Sequence, residues 1–226
     1  MPNGKNIVSL QDMPNTYYPD LSLPRSTTER RGKGRPRAFD REDALRKALH
    51  VFWRKGYEPA SVAELCKAME INPPSLYAGF GNKASLFIEA VLYYEQTYWE
   101  APARAFFAEP DIFRAVSEFF ATATRILFSA DTPCGCMVVL AAINISERET
   151  DVIEALHKLR QATRSMFAKR LQQAVQDRQI SSETNILALA GALNTLLEGL
   201  SLQMRDGLCQ EEVLAIAAQA VHLLPR

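Results

Sequence analysis

Near one end of this 226-residue chain, a few polar and basic side chains have the types and spacing to hold phosphate. Lys83 follows Asn82, a residue suited to capping a helix start, so the lysine falls in a first helical turn. The helix dipole disfavours a cation there, and its presence points to an external anion, of which phosphate is the obvious one. Just before it, Leu76 and Phe80 share an i, i+4 face, which leaves Ser75, Tyr77 and Ala78 pointing more outward. Further upstream, Arg30, Arg31, Lys33, Arg35 and Arg37 crowd together. Lys33-Gly34-Arg35-Pro36 has the make-up of a hook that inserts arginine into a narrow minor groove. A solvated basic tail that attracts phosphate without specificity is an equal alternative.

A second group with reactive potential is Cys134-Gly135-Cys136, followed by Met137. Two soft ligands could hold Cu(I) or zinc, and an exposed thiol pair could sense oxidants. Against this, two cysteines and a weak thioether are few ligands for a metal. Cys66 and Cys209 are distant in sequence, and His50, His157 and His222 show no ligand spacing. Packing as small hydrophobes is the leading reading, with thiol or metal sensing as the alternative. No Ser/His/Asp arrangement, phosphate loop or metal-ligand spacing supports catalysis, and no cofactor is implied.

The elements that must position these residues are helical. Asp40 caps a first helix with the buried stripe Leu45, Ala48, Leu49 and Phe52, ended by Gly56; Phe39 is placed to staple onto Ala44. Ser61 and Glu64 form a capping-box pattern, and Val62, Leu65, Ala68 and Met69 follow at helical spacing. Asn72 caps a second short helix with Pro73 in its first turn; Gly79 and Gly81 end it. A long helix then runs from Asn82 to near Glu100, with Phe87, Val91, Tyr94 and Tyr98 as its stripe. Two short helices joined by a tight turn, followed by a third, form a unit that can push one helix into a DNA groove.

The run from Phe39 to about Tyr98 resembles the N-terminal domain of the tetracycline-repressor (TetR) family of bacterial transcription regulators. Ala48, Phe52, Gly56-Tyr57, Ser61-Val62, Ser75-Leu76-Tyr77, Phe80-Gly81-Asn82-Lys83 and Leu86-Phe87 carry the likeness. The resemblance implies that Pro73, Pro74, Ser75, Tyr77 and Ala78 lie on the groove-facing helix, and that Ser61, Tyr77 and Lys83 touch phosphates. It also implies a homodimer on a double-stranded DNA operator and a small-molecule inducer in the C-terminal domain. Two departures stand out: Glu70 where the family usually has a turn glycine, and Ala78-Gly79 in place of a bulkier pair.

Zero net charge conceals a division. Residues 25–83 carry +6 and the remainder −6, which suits one end facing nucleic acid and another facing something else. No signal peptide or membrane-spanning run stands out, so the expected location is the cytoplasm and no membrane partner is expected. Beyond Pro102 the periodic segments are all helical. Gly135–Ser146, apolar nearly all round, reads as a buried helix or, as the lesser option, a buried strand. A helix between Glu183 and Met204 is apolar on two sides, with Ala188, Ala192, Thr195 and Gly199 as a stripe of small residues; with the helix after it, it reads as a dimer interface. Phe119, Phe120, Met137, Asn144 and Phe167 are candidates to line a ligand pocket, although aromatic residues at helical spacing are more often plain core. The expected architecture is all-α: a flexible basic extension (1–37), a three-helix helix-turn-helix domain (38–98), and a helical ligand-binding and dimerisation domain (99–226).

Overall fold

In a computed structural model the described residues are 39–129, 132–141 and 145–225. They contain ten α-helices, one π-turn and one 3-10 turn, with no strand among them. The basic arm with Arg35 and Arg37, and Asn144, lie outside the described residues.

Local chemistry sets the first four helices. α1 (Arg41–Lys55) begins where the Asp40 carboxylate accepts the backbone N–H groups of Glu42 and Asp43. α2 (Val62–Met69) begins with the full reciprocal Ser61–Glu64 capping box. Asn72 caps α3 (Pro73–Phe80) through the Ser75 N–H, and Asn82 caps α4 (Lys83–Tyr94) through that of Ser85. These caps satisfy N–H groups that a helix start otherwise leaves without partners. Behind them Phe52, Tyr57 and Phe87 are almost fully buried, the rings of Phe52 and Phe87 meeting edge to face at 5.0 Å. Phe39 packs against the core at the base of α3. Its ring lies 6.3 Å from that of Phe80, where a side chain on Gly79 would crowd it. The absence of a Cβ at Gly79 is what lets the aromatic seal the base of α3.

The long helix expected to end near Glu100 continues further and changes pitch. After α4 come a π-turn (Glu95–Trp99) and α5 (Glu100–Ala108). The π-turn inserts residues into the helical phase, so Glu95 and Trp99 become buried while Tyr98 stays half-buried.

The C-terminal helices are α6 (Ile112–Leu127), α7 (Met137–Leu140), α8 (Thr150–Gln176), α9 (Ile186–Arg205) and α10 (Gln210–Ala217), closed by a 3-10 turn (Ala218–Leu223). Their core is aromatic: Phe106, Phe119, Phe120 and Phe167 pack ring against ring at 5.1–6.0 Å. Arg170 is buried too, donating to the carbonyls of Phe106, Glu109 and Pro110, which closes the end of α5. Where the sequence suggested a helix or strand over Gly135–Ser146, only α7 is regular among the described residues. α9 is long and apolar enough, by length and composition, to cross a membrane, contrary to the sequence expectation. One of its sides packs against α6, α8 and α10, which gives the apolar composition a packing role within the bundle. The other side is exposed.

Candidate nucleic-acid interface and an interior cavity

The outer surface of α3 is set by what its inner side buries. Leu76 and Phe80 are sunk into the core, so Pro73, Pro74, Tyr77 and Ala78 face solvent and Ser75 is half-buried. Tyr77 is 50% exposed, a large ring held outward by a helix that cannot rotate without expelling Leu76. The turn before α3 passes through Glu70, which adopts the left-handed conformation at φ 57° and pairs with Lys47 at 3.0 Å. A non-glycine residue is strained there, so the packing of α2 against α3 holds it in place.

The expected phosphate contacts are already engaged within the chain. Lys83 donates to the Glu58 carbonyl at 3.2 Å, with its ammonium 4.3 Å from the centre of the Tyr57 ring. These contacts hold its ammonium while leaving the residue partly exposed at the start of α4. The Ser61 hydroxyl is committed to the Glu64 capping box. An ion pair with Lys55 and the bonds from Ser61 hold the Glu64 carboxyl down at about 2. Sequence reasoning missed Arg41, which joins the Gly79 carbonyl at 3.3 Å to Glu89 at 2.6 Å and lies over the Phe80 ring. Arg41 thus ties the end of α3 to α1 and α4. Its position at a first helical turn, beside a capped start, gave no hint of this distant partner.

Three backbone links join this unit to the rest of the chain. The Trp53 indole donates to the Gly135 carbonyl at 2.8 Å. The Tyr57 N–H donates to the Ala141 carbonyl at 3.2 Å, and the Ser146 N–H to the Glu58 carboxylate at 2.7 Å. The strap from Thr132 to Ala141 therefore rests on the end of α1. Gly135, at φ 84°, is needed in it: a Cβ there would sit 2.4 Å from Leu140 and 3.0 Å from the Ser201 carbonyl of α9.

Between the strap, the π-turn, α8 and α9 lies a cavity of about 30 Å³. Its walls include Glu95, Trp99, Cys136, Arg160, Asn194, Glu198 and Ser201. None of Phe119, Phe120, Met137 or Phe167 lines it; all four are part of the close-packed core, and Phe119 stands behind Trp99 with ring centres 6.3 Å apart. Burial pushes the Glu95 carboxyl up to about 8. Burial likewise pushes the Cys136 thiol up to about 11, which opposes the thiolate that metal or oxidant sensing requires. Cys134 is exposed, and among the described residues no group of three or more His, Cys, Asp or Glu could hold a metal ion.

Known proteins share both halves. Residues 44–90 match the family model of bacterial regulatory proteins of the tetR family, and residues 113–220 match that of the tetracyclin repressor-like C-terminal domain. The HTH-type transcriptional repressor ComR of Escherichia coli is 33% identical over 202 residues, spanning 87% of this chain and 94% of ComR. The HTH-type transcriptional repressor BdcR of the same organism is 31% identical over 189 residues, 83% of this chain and 90% of BdcR. A cysteine-substituted form of the TetR-family regulator CifR, complexed with a 26-base-pair operator, superposes with a TM-score of 0.82 at 38% identity; 85% of this chain and all of that chain are covered. Capped helix-turn-helix, outward α3, helical C-terminal domain and relatives agree: the chain belongs to the TetR family and is a DNA-binding transcriptional regulator.

Proposed function

We propose that the protein acts in the cytoplasm as a homodimeric repressor on a roughly palindromic operator, and that a small molecule bound in the C-terminal domain releases it. The observation that carries this reading is the α3 surface, where Pro73, Pro74, Tyr77 and Ala78 stand exposed on a helix anchored from behind. In the docked complex Ser75 and Ala78 meet base edges, Ser61, Tyr77 and Lys83 position the backbone, and Arg35 and Arg37 reach the adjacent minor groove. Lys83 exchanges or shares its Glu58 carbonyl for phosphate. The names of ComR and BdcR as repressors, and the operator in the CifR complex, favour the same role here.

Dimerisation is assigned to the outer side of α9 with α10. Leu187 is 68% exposed and Leu202 46%, and between them Ala188, Ala192, Thr195 and Gly199 keep the surface low enough for a second helix to approach. A two-fold pair would set the recognition helices on half-sites about 34 Å apart. Release requires that ligand favour a conformation in which this spacing no longer fits the operator. The strap links at Trp53 and Tyr57, with the Ser146 bond to Glu58, supply a route for that coupling. The boundary between the two domains is taken at 98/99, inside the π-turn, and the role has no catalytic step.

Tyr77→Ala and Lys83→Ala are each expected to weaken DNA binding on operator and unrelated DNA alike, because phosphate contacts position without specifying. Fluorescence anisotropy on both DNAs measures this. Unchanged affinity in both variants would remove the docking.

A further inference from the structure

Tyr57 and Glu58, in the loop after α1, each face two ways. On one side they form a seat for Lys83. The Glu58 carbonyl accepts from its ammonium at 3.2 Å, and the centre of the Tyr57 ring lies 4.3 Å from it. On the other side they meet the turn that opens α8. The Glu58 carboxylate accepts the Ser146 N–H at 2.7 Å, and the Tyr57 hydroxyl donates to the Glu149 carboxylate. Ser146 and Glu149 belong to one turn, closed by the Glu149 N–H on the Ser146 carbonyl at 2.9 Å.

The groups are committed to this arrangement. Tyr57 is 2% exposed, its ring 5.0 Å from that of Phe87 and stacked toward Phe52. Burial first, and the Glu149 carboxylate second, push its hydroxyl well above the ordinary phenol range, so it stays a donor. Glu149 stands at the cap position of α8, yet its side chain makes no cap bond there. This half-buried carboxylate passes over the N–H groups of its own helix for a partner beside α1.

The seat suits a lysine that must reach phosphate. The Glu58 carbonyl takes one of the three ammonium donors and leaves donors for an anion. A lysine already held over a ring loses less side-chain freedom on binding than one that swings in water.

We propose that Glu149, although it belongs to the C-terminal domain, is a positioning residue for DNA binding: through the Tyr57 hydroxyl it fixes the seat from which Lys83 reaches phosphate. The proposal rests on the docking of Lys83 given above. It gives the start of α8 a hold on a DNA contact in addition to the strap.

Binding of the full chain to a DNA duplex of arbitrary sequence, followed by fluorescence anisotropy across a salt series, tests this, since phosphate contacts act there as on an operator. Tyr57→Phe keeps the ring and removes the hydroxyl; Glu149→Ala removes the acceptor. Each is expected to weaken binding roughly threefold to tenfold. Each should also lower the slope of log affinity against log salt by up to about 0.9, the share of one phosphate. Glu149→Gln, which retains an accepting oxygen, is expected to stay within about twofold of the parent. In a Lys83→Ala background, Tyr57→Phe and Glu149→Ala should have no further effect. Should Tyr57→Phe fail to fold, Glu149→Ala, at a half-buried position, carries the same test. If Lys83→Ala weakens binding while Tyr57→Phe and Glu149→Ala do not, the docking stands and the proposal falls. An equal penalty with and without Lys83 also overturns it, because the effect then reaches DNA elsewhere. No effect of Lys83→Ala removes the docking, and the proposal with it.

Discussion

The two ends of the molecule treat buried polarity in opposite ways. In the helix-turn-helix unit every helix start has a side-chain cap, and α1–α3 contain none of the buried side-chain polar atoms left without a partner; the Tyr94 hydroxyl, at the end of α4 beside Cys136 and Trp99, is the exception. In the helical domain such atoms occur at Trp99, Arg170, Thr184, Asn194 and Ser201, and three of these residues, Trp99, Asn194 and Ser201, line one cavity. The first region is complete by itself and fit to hold one shape against DNA. The second keeps polar atoms in its interior that its own side chains leave unpaired. The strap joins them by hydrogen bonds to the end of α1 and the turn that follows it, so a change at the incomplete end has a short path to the complete one.

If the first region is as self-sufficient as its packing indicates, damage to its core should be severe. Phe52→Ala removes a fully buried ring in contact with Phe87 and Tyr57 and is expected to cost about 4 kcal/mol in urea unfolding. A loss under 1 kcal/mol would mean the unit packs loosely.

The second region should answer to pH instead. The Glu95 carboxyl is raised from 4.5 to about 8 by burial, so the folded state holds a proton that the unfolded state releases. Stability from this group is present at low pH and falls as pH rises from about 4.5 through 8. Tyr94, Cys136, Glu198 and Arg160 surround the same region, and burial is the cause of the shift. Glu95→Gln is expected to flatten the decline and to raise stability at pH 8 by roughly 2 kcal/mol, read from denaturant curves at pH 5 and pH 8. Equal pH profiles for both proteins would place the carboxyl in water.

The smallest effect concerns the one strained residue of the first region. Glu70→Gly relieves the left-handed conformation at φ 57° but gives up the pair with Lys47. Strain relief of about 1 kcal/mol outweighs an exposed ion pair, so a net stabilisation of roughly 0.5 kcal/mol is expected in thermal melts. A destabilised variant would show that the Lys47 pair carries the turn.

The complete region was also the legible one. Asp40, Ser61 with Glu64, Asn72 and Asn82 act on N–H groups two or three residues away, so the sequence alone locates their helices. Glu70 announced the turn strain by standing where glycine is usual. The cavity was hidden for a corresponding reason. Its residues come from elements far apart in the chain, and the π-turn rotates Glu95 and Trp99 inward where an unbroken α-helix would bury Tyr98. The adjacent Tyr98-Trp99 pair was a faint sign of that phase slip. The aromatic residues chosen for a pocket, Phe119, Phe120 and Phe167, have the spacing of a packed core and pack as one. Arg41 and Arg170 were invisible because their partners lie 38 to 64 residues away.

Selection of bound DNA from a random pool tests the central claim most directly. The account predicts enrichment of a two-fold-related sequence with half-sites one helical turn apart, lost in a variant combining Tyr77→Ala and Lys83→Ala. Recovery of no preferred sequence, or of an unpaired half-site bound equally well by that variant, would contradict it.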